Sequence, residues 1–541
     1  MKRENTIEVT GEFARALEAM RVGRRHLLIT GSAGTGKSTL LSLFCESVDW
    51  DPVVLAPTGV AALNVGGQTV HRFFGFGIDI TLEAAGKRSA RDPQLYRNLK
   101  TLIIDEVSML RADLLDCVDL FLKRHGPLPG QPFGGVHMVF IGDLYQLPPV
   151  VIGVEREALK ERYDSPHFFS AGALKGVELQ TVELTKVFRQ RNRAFASLLN
   201  RIRKNAAEPG DIERLNERLD PHFEPPQGCG YITLTGTNRK ADAINEARLD
   251  ALRAPEHERR AVIQGAFARD YYPTQERLRF KEGAQVMLLN NDSAQRWVNG
   301  SIGVIEGVNI GDDEEDVASS YADYARWQSA GAKIGGGEEH VAVRLSEPNR
   351  LVRVEPYEWE LIRFDLSEGA IVSSPAGTFT QFPFRLAWAV TVHKSQGKTF
   401  KRMVVDLDRV FAAGQAYVAL SRCTTLEGLV LTRPLAPGAI RCDWRVQRFL
   451  TGEQYKRAER RQSTDEKLEM IEQAIEAGAD VEMEYLKRND VRTRRRVRPL
   501  EVGMRSYSSH EFLGMRAWCA LRKDERTFRL DRILSLSISS T

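Results

Sequence analysis

Cysteine is scarce and scattered. Cys45, Cys117, Cys229, Cys423, Cys442 and Cys519 are spread over 541 residues, and no two stand in C-x-x-C spacing. That argues against a disulfide framework and the common zinc modules, and it suits a reducing, cytosolic setting. No apolar run is long enough to span a bilayer. The opening stretch from Met1 to Phe13 is polar and lacks the apolar core of a signal peptide. The expectation is a cytoplasmic protein with no membrane partner. There is no tandem repeat, no His/Cys/Asp cluster that asks for a transition metal, and no relaxase or nuclease constellation. A strong overall charge is also missing, since the net is only +4. What remains is a chain with 42% hydrophobic residues, long enough for three or four globular domains.

The strongest positive feature is Gly31-Ser-Ala-Gly-Thr-Gly-Lys37-Ser38, a complete G-x4-G-K-S phosphate loop. An apolar run at 26–29 reads as the strand before it, and 38–44 reads as the helix after it. In that context the backbone N–H groups of Gly34, Thr35, Gly36 and their neighbours, through Thr39, curl around phosphates at a helix N-terminus. Lys37 reaches the β- and γ-phosphates of ATP, and Ser38 holds Mg²⁺. A second half of the site follows. The apolar run 102–104 ends in Asp105 and Glu106. Asp105 binds Mg²⁺ through water and Glu106 polarises the attacking water, a pairing that points to hydrolysis. The strand 136–141 leads to Asp143 and Gln146. Strand ends at the carboxyl edge of an open α/β sheet face the ligand, which places Gln146 to sense the γ-phosphate. Taken alone, Asp143 and Gln146 are equally well turn residues before Pro148-Pro149.

Residues 1–178 read as one α/β ATP-binding domain, with a small wedge insertion near 75–95. A second α/β domain without a phosphate loop covers 179–269 and 379–440, with strands at 231–236, 403–407 and 428–432 and helices at 241–252 and 414–421. Between its halves, 270–378 changes to short strands and turns, an inserted small β-barrel. Within that insertion 311–339 is acidic and glycine-containing. The charged stretch 441–465 reads as a linker or exposed helix. Then 466–541 forms a separate module, with a helix at 465–478 and strands at 481–485, 496–502, 515–521 and 526–530. Charge is uneven. Residues 481–541 hold 14 Lys/Arg against 8 Asp/Glu, including a cluster from Arg492 to Arg498. Such a cluster suits phosphate backbones as well as a solvated loop.

As a set the motifs resemble the Pif-type (petite integration frequency) DNA helicases, with the RecD-type helicases as near relatives. Val54-Leu-Ala-Pro-Thr58-Gly-Val-Ala-Ala62 and Gly66-Gly-Gln-Thr-Val-His71-Arg-Phe73 resemble the segment that contacts single strands. Asp105-Glu-Val-Ser-Met109, the helix-like stretch 113–126, and Gly142-Asp-Leu-Tyr-Gln146-Leu-Pro-Pro-Val150 follow in order. Leu184-Thr-Lys-Val-Phe-Arg189-Gln190 resembles the first arginine-bearing motif. Trp388-Ala-Val-Thr391-Val-His393-Lys-Ser-Gln396-Gly397-Lys-Thr399 and Tyr417-Val-Ala-Leu-Ser-Arg422 resemble the two late ones. The likeness covers about residues 5–435. The tail resembles a WYL domain, a small Sm-like barrel, through Val481-Glu-Met-Glu-Tyr485, Arg496-Val-Arg-Pro-Leu500, Ala517-Trp-Cys-Ala-Leu-Arg522 and Arg526-Thr-Phe-Arg529.

The resemblance implies two RecA-like domains, an SH3-like insertion and the WYL barrel. It implies an ATP-dependent helicase moving 5′ to 3′ on single-stranded DNA, associated with the nucleoid, with strand–duplex junctions as partners and duplex, G-quadruplex or DNA–RNA structures as substrates. Arg189 and Arg422 become catalytic arginines supplied by the second domain, worth ~10³-fold or more in rate. Gln396 and Gly397 join the nucleotide site. Thr58, His71, Phe73, Thr391 and His393 become the strand track. Phe73 suits base stacking and core packing equally, and either histidine suits a buried structural role. Arg496 and Arg526, near Tyr485, Trp518 and Phe528, become a second contact with DNA. One departure concerns the base. Many such enzymes carry a glutamine upstream of the loop to read adenine, and residues 1–30 contain none. The alternative is an ATP-switched single-strand-binding protein, or a translocase that displaces proteins and unwinds little.

Overall fold

The computed structural model describes residues 9–539, apart from 152, 191, 227, 311–338, 408–411, 488–489 and 508–509. The acidic insertion expected at 311–339 lies almost wholly outside the described residues. The chain divides into two compact units. One holds residues 1–196 and 212–439, and the other holds 197–211 and 440–541.

The first unit contains two parallel sheets. Six strands stand in the order Gln68–Thr69, Val53–Ala56, Thr101–Ile104, His137–Gly142, His26–Gly31 and Leu179–Leu184, every neighbour parallel. Leu179–Leu184, expected in the second α/β domain, is thus the edge strand of the first sheet, held there by its parallel ladder with His26–Gly31. The continuous apolar runs explain this arrangement. Val53–Ala56, Thr101–Ile104 and His137–Gly142 are buried at every position, as parallel strands covered on both faces must be. Leu27, Ile29, Leu40, Phe44, Ile103, Val139 and Ile141 are fully buried in the core between sheet and helices. Each contributes roughly 1.5–3 kcal/mol. The second sheet orders Ala389–Thr391, Ile232–Thr235, Met403–Asp406 and Leu429–Leu431, again all parallel.

Antiparallel strands fill the span between the two halves of that second sheet. Five of them, Arg350–Val354, His340–Leu345, Ile302–Asn309, Gln285–Leu288 and Phe384–Leu386, form one sheet around a core of Phe280, Val286, Val343 and Phe384. The long hairpin Tyr357–Ser367 and Ala370–Gln381 pairs with Val262–Gly265. A ladder of Glu256–Arg260 with Arg277–Lys281 completes the region. The antiparallel strands therefore run from Glu256 to Leu386, wider than 270–378 at both ends.

The second unit is a five-stranded antiparallel sheet, led in by the helix Thr464–Glu476. A capping box between Ser463 and Glu466 starts that helix. Ile471, Val481, Val497, Met515, Ala517 and Ile533 form the core. Of the two readings of 441–465, linker or exposed helix, the structure has a helix, Trp444–Arg461, with Val446, Leu450 and Ala458 buried. Residues 197–211, expected in the second α/β domain, belong to this unit as well. A buried ion pair explains their place: Lys204 Nζ lies 2.8 Å from Asp490, whose side chain is 1% exposed.

Candidate active site

The expected strand–loop–helix appears as His26–Gly31, the phosphate loop and Lys37–Ser47. Gly34 and Gly36 have φ of 81° and 86°, the left-handed region that glycine enters freely. Lys37 Nζ donates to the carbonyls of Gly31 and Ser32, 3.0 Å each, so the loop closes around its own lysine. Thr35 is buried and its hydroxyl donates to Ser32 O, while Ser38 and Thr39 are exposed.

Asp105 and Glu106 stand at the end of the strand Thr101–Ile104, as expected. Glu106 adopts φ 48°, ψ 41°, a left-handed conformation uncommon outside glycine and typical of constrained functional sites. Burial, then the charge of Glu106, raises the Asp105 carboxyl. Burial also raises Glu106, against the opposing pull of Lys37, Arg422 and Arg189. Two desolvated carboxyls beside three cations leave the site with an excess of positive charge, which suits an anion such as a phosphate. Gln146 is buried, and its Nε2 faces Asp143 Oδ2 at 3.4 Å.

Both late arginines reach this same place. Arg189 is half-buried and donates to Ser421 O at 3.2 Å, while Gln190 Nε2 donates to Ser421 O and Cys423 O. Arg422 is 1% exposed and tied to Val418 O at 3.0 Å and Ser395 O at 3.5 Å. Burial, then the repulsion of Arg422, pushes Arg189 down to about 9, which leaves it cationic at neutral pH. The Arg189 segment sits directly on the loop: Phe188 N–H donates to Gly34 O at 2.8 Å. A Cβ at Gly34 would stand 2.3 Å from Arg189 Cβ. Gln396 is half-buried beside the Ser395 carbonyl that Arg422 uses, with no hydrogen bond to its Nε2, and Gly397 has φ 75°.

A groove of about 580 Å³ lies apart from these carboxylates. It is lined from the first sheet's side by Val60, Leu63 and Asn64, from the second by Thr391, Lys394 and Lys398, and from the antiparallel region by Asn290, Asn299, Tyr357 and Trp359. Among the expected track residues, Thr391 lines it. Thr58 caps the helix Gly59–Asn64 that borders it, its hydroxyl accepting from Ala61 N–H. His393, just beyond Thr391, is exposed. His71 lies on the helix Val70–Phe74, its imidazole lowered by burial and then by Arg111. Phe73 is 6% exposed and packs edge-on against Phe74, Tyr96 and Phe364. Core packing is the role this geometry gives it, in place of base stacking. The exposed aromatic in the groove is Tyr357, which the sequence did not single out. Arg385, Lys394 and Lys398 were also missed, although two of them stand inside the motif around Thr391.

In the tail, Tyr485 and Phe528 pack edge to face at 5.3 Å inside the core, whereas Trp518 is 47% exposed. The basic cluster is paired from within. Arg496 and Arg498 both bind Asp480, each at 2.9 Å, and Arg526 binds Asp524 at 3.1 Å. Among the described residues no group of three or more His, Cys, Asp or Glu could hold a metal, and no helix is long and apolar enough to cross a membrane.

Comparison with known proteins agrees with this geometry. Residues 12–209 match the PIF1-like helicase family and 466–538 match the WYL domain. The human ATP-dependent DNA helicase PIF1 is 33% identical over 452 residues, covering 82% of this chain and 63% of the human protein. A crystal structure of Bacteroides Pif1 in complex with ADP-AlF4 superposes with a TM-score of 0.71 at 32% identity, covering 84% of this chain and 97% of that one. The Bacteroides protein bound to single-stranded DNA superposes at 0.57, also 32% identical, covering 83% and 97%. Matching such relatives over nearly their whole crystallised length, the chain belongs to the PIF1-like helicase family and carries a WYL domain at its C-terminal end.

Proposed function

We propose that the protein is an ATP-dependent DNA helicase that moves 5′ to 3′ along single-stranded DNA and unwinds duplex ahead of it. One observation carries the reading. Phe188 N–H donates to Gly34 O of the phosphate loop, and Arg189 beside it donates to Ser421 O, next to Arg422 of the second parallel-sheet domain. The hydrolytic site is complete only when the two domains meet. Turnover therefore couples to their opening and closing, and a strand held across both is moved by that cycle.

The residues divide the work. The loop amides from Gly34 to Thr39 and the Lys37 ammonium bind the phosphates. Glu106 orients the attacking water and accepts its proton. Gln146 stands beside it, and Arg189 and Arg422 meet the charge that spreads over the transferring phosphoryl group. Ser38 and Asp105 fit Mg²⁺, an ion that takes one or two carboxylates, waters and substrate phosphates instead of an all-protein cage. When bound, the ion neutralises charge on the β- and γ-phosphates. Gln396 and Gly397 border the Arg422 side of this site.

The groove with Thr391, Lys394, Lys398 and Tyr357 is the path for single-stranded DNA, with Thr58, His71 and His393 along its approach. Asparagine amides and hydroxyls bond phosphates and sugars without reading sequence, and Tyr357 offers a stacking face. Junctions of single and double strands are the substrates, and the site of action is the nucleoid, in the cytoplasm. In the tail, Trp518 with Arg496, Arg498 and Arg526 gives an accessory contact with the strand.

The test is ATP turnover with and without single-stranded DNA. Wild-type turnover rises with DNA. Lys37→Ala abolishes it while the fold persists, because the loop's side-chain charge is gone. Glu106→Gln keeps nucleotide binding and loses hydrolysis. Substantial turnover in folded Lys37→Ala contradicts the assignment of the site.

A further inference from the structure

Tyr417 occupies a position in the cleft that the motif assignments leave without a role. It lies on the helix Gln415–Leu420, five residues before Arg422, and is 3% exposed. Its hydroxyl accepts the N–H of Ala33, in the phosphate loop, at 2.9 Å. The same hydroxyl donates to Asp143 Oδ2 at 3.0 Å. Asp143 is fully buried, accepts the N–H of Tyr145 at 3.2 Å, and faces Gln146 Nε2. A single oxygen from the second domain thus joins two loops of the first. The start of the helix touches the same loop: Gly414 has φ 77°, and a Cβ there would stand 2.3 Å from Tyr145 O and 2.7 Å from Gln146 O.

We propose that Tyr417 is a positioning residue for hydrolysis, whose hydroxyl locks the Asp143–Gln146 loop and the Arg422 helix against the phosphate loop and so sets turnover in place of nucleotide affinity. A hydroxyl both accepts and donates, so it satisfies the amide and the carboxylate together. Phenylalanine does neither: it takes this acceptor from the Ala33 N–H and one donor from Asp143 Oδ2, which still faces Gln146 Nε2. The groups that Tyr417 holds are Gln146, and Arg422 through the helix. They act on the phosphoryl group as it transfers, where misplacement costs rate. The amides from Gly34 onward and Lys37, which bind the ground state, are not held by it.

This inference rests on the cleft being an ATPase, which wild-type turnover and its loss in Lys37→Ala establish separately. The test uses the full chain with saturating single-stranded DNA. It measures kcat, the Kd for a fluorescent ATP analogue and the thermal midpoint. Tyr417→Phe is expected to lower kcat by about ten- to a hundredfold, with Kd and midpoint nearly unchanged. Asp143→Asn, close to it in volume, is expected to show the same split and serves if Tyr417→Phe is too unstable to assay. The double variant is expected to lose no more than the worse single one, since both break one relay. Wild-type kcat in Tyr417→Phe overturns the proposal. So does a loss of affinity that matches the loss of rate, and so do losses that multiply in the double variant.

Discussion

Lys398 shows how one residue can combine a cofactor-independent role with a measurable signature. It stands in the groove, half-buried, with Nζ 2.6 Å from Asn299 Oδ1. Burial, then the cation of Arg385, lowers it to about 7. A DNA phosphate favours the charged form, so binding takes up a proton whenever the free protein holds Lys398 neutral. Affinity for single-stranded DNA should then weaken as pH rises through 7. Between pH 6.5 and 8.5 at fixed ionic strength the expected loss is roughly tenfold. Burial, then Arg111, shifts the His71 imidazole downward. Fluorescence anisotropy of a labelled oligonucleotide should show the slope, and Lys398→Met should flatten it. An unchanged slope in that variant would take Lys398 out of the DNA contact. The residue scale is also where sequence reading reached its limit. Lys37, Asp105, Glu106, Arg189 and Arg422 were legible because their chemistry is tied to short motifs. The burial of Phe73 was not, because Phe364, one of its ring partners, is 291 positions away in the chain.

Among the elements, the phosphate loop and the Arg189 segment meet at very close range. Gly34 is required there twice, by its φ of 81° and by the approach of Arg189 Cβ. Gly34→Ala should displace the Arg189 segment and cut turnover by about a hundredfold, with the thermal midpoint little changed. Steady-state ATPase assays with calorimetry check it, and normal turnover would show that the segment relocates at no cost. Strands of the parallel sheets were readable because both faces are covered, so each is an unbroken apolar run such as 102–104. The helix Trp444–Arg461 was harder to read, since only Val446, Leu450, Thr451 and Ala458 of its 18 residues are buried and most of the rest is charged or polar. The membership of 197–211 in the second unit rests on Lys204 and Asp490, 286 positions apart, a pairing that no local pattern announces.

For the molecule as a whole, the proposed accessory contact with the strand lies in the tail. Trp518 is exposed and stands opposite Arg498 in the strand register, with Arg516 two residues before it. Cutting the chain near Arg460 would sever the helix Trp444–Arg461 from its own unit, so point variants are the cleaner probe. Trp518→Ala should weaken single-strand binding by about 1–3 kcal/mol per stacked base. Arg496→Ala with Arg498→Ala should make the salt dependence shallower by ~0.7 for each phosphate that is no longer neutralised. The single Asp480 carboxylate they share offsets only one of their two charges, so the pair keeps positive charge for a phosphate. Identical affinities and slopes would leave the tail a regulatory or partner-docking module.

The central claim is that closure of two domains around ATP drives directional movement on DNA. Strand displacement tests it most directly, using the full chain with ATP, Mg²⁺ and matched partial duplexes carrying either a 5′ or a 3′ single-stranded tail. The expected result is ATP-dependent unwinding of the 5′-tailed duplex, little of the 3′-tailed one, and none of either by Lys37→Ala. Unwinding confined to the 3′-tailed duplex, or vigorous DNA-stimulated ATP turnover that displaces neither strand, would contradict it.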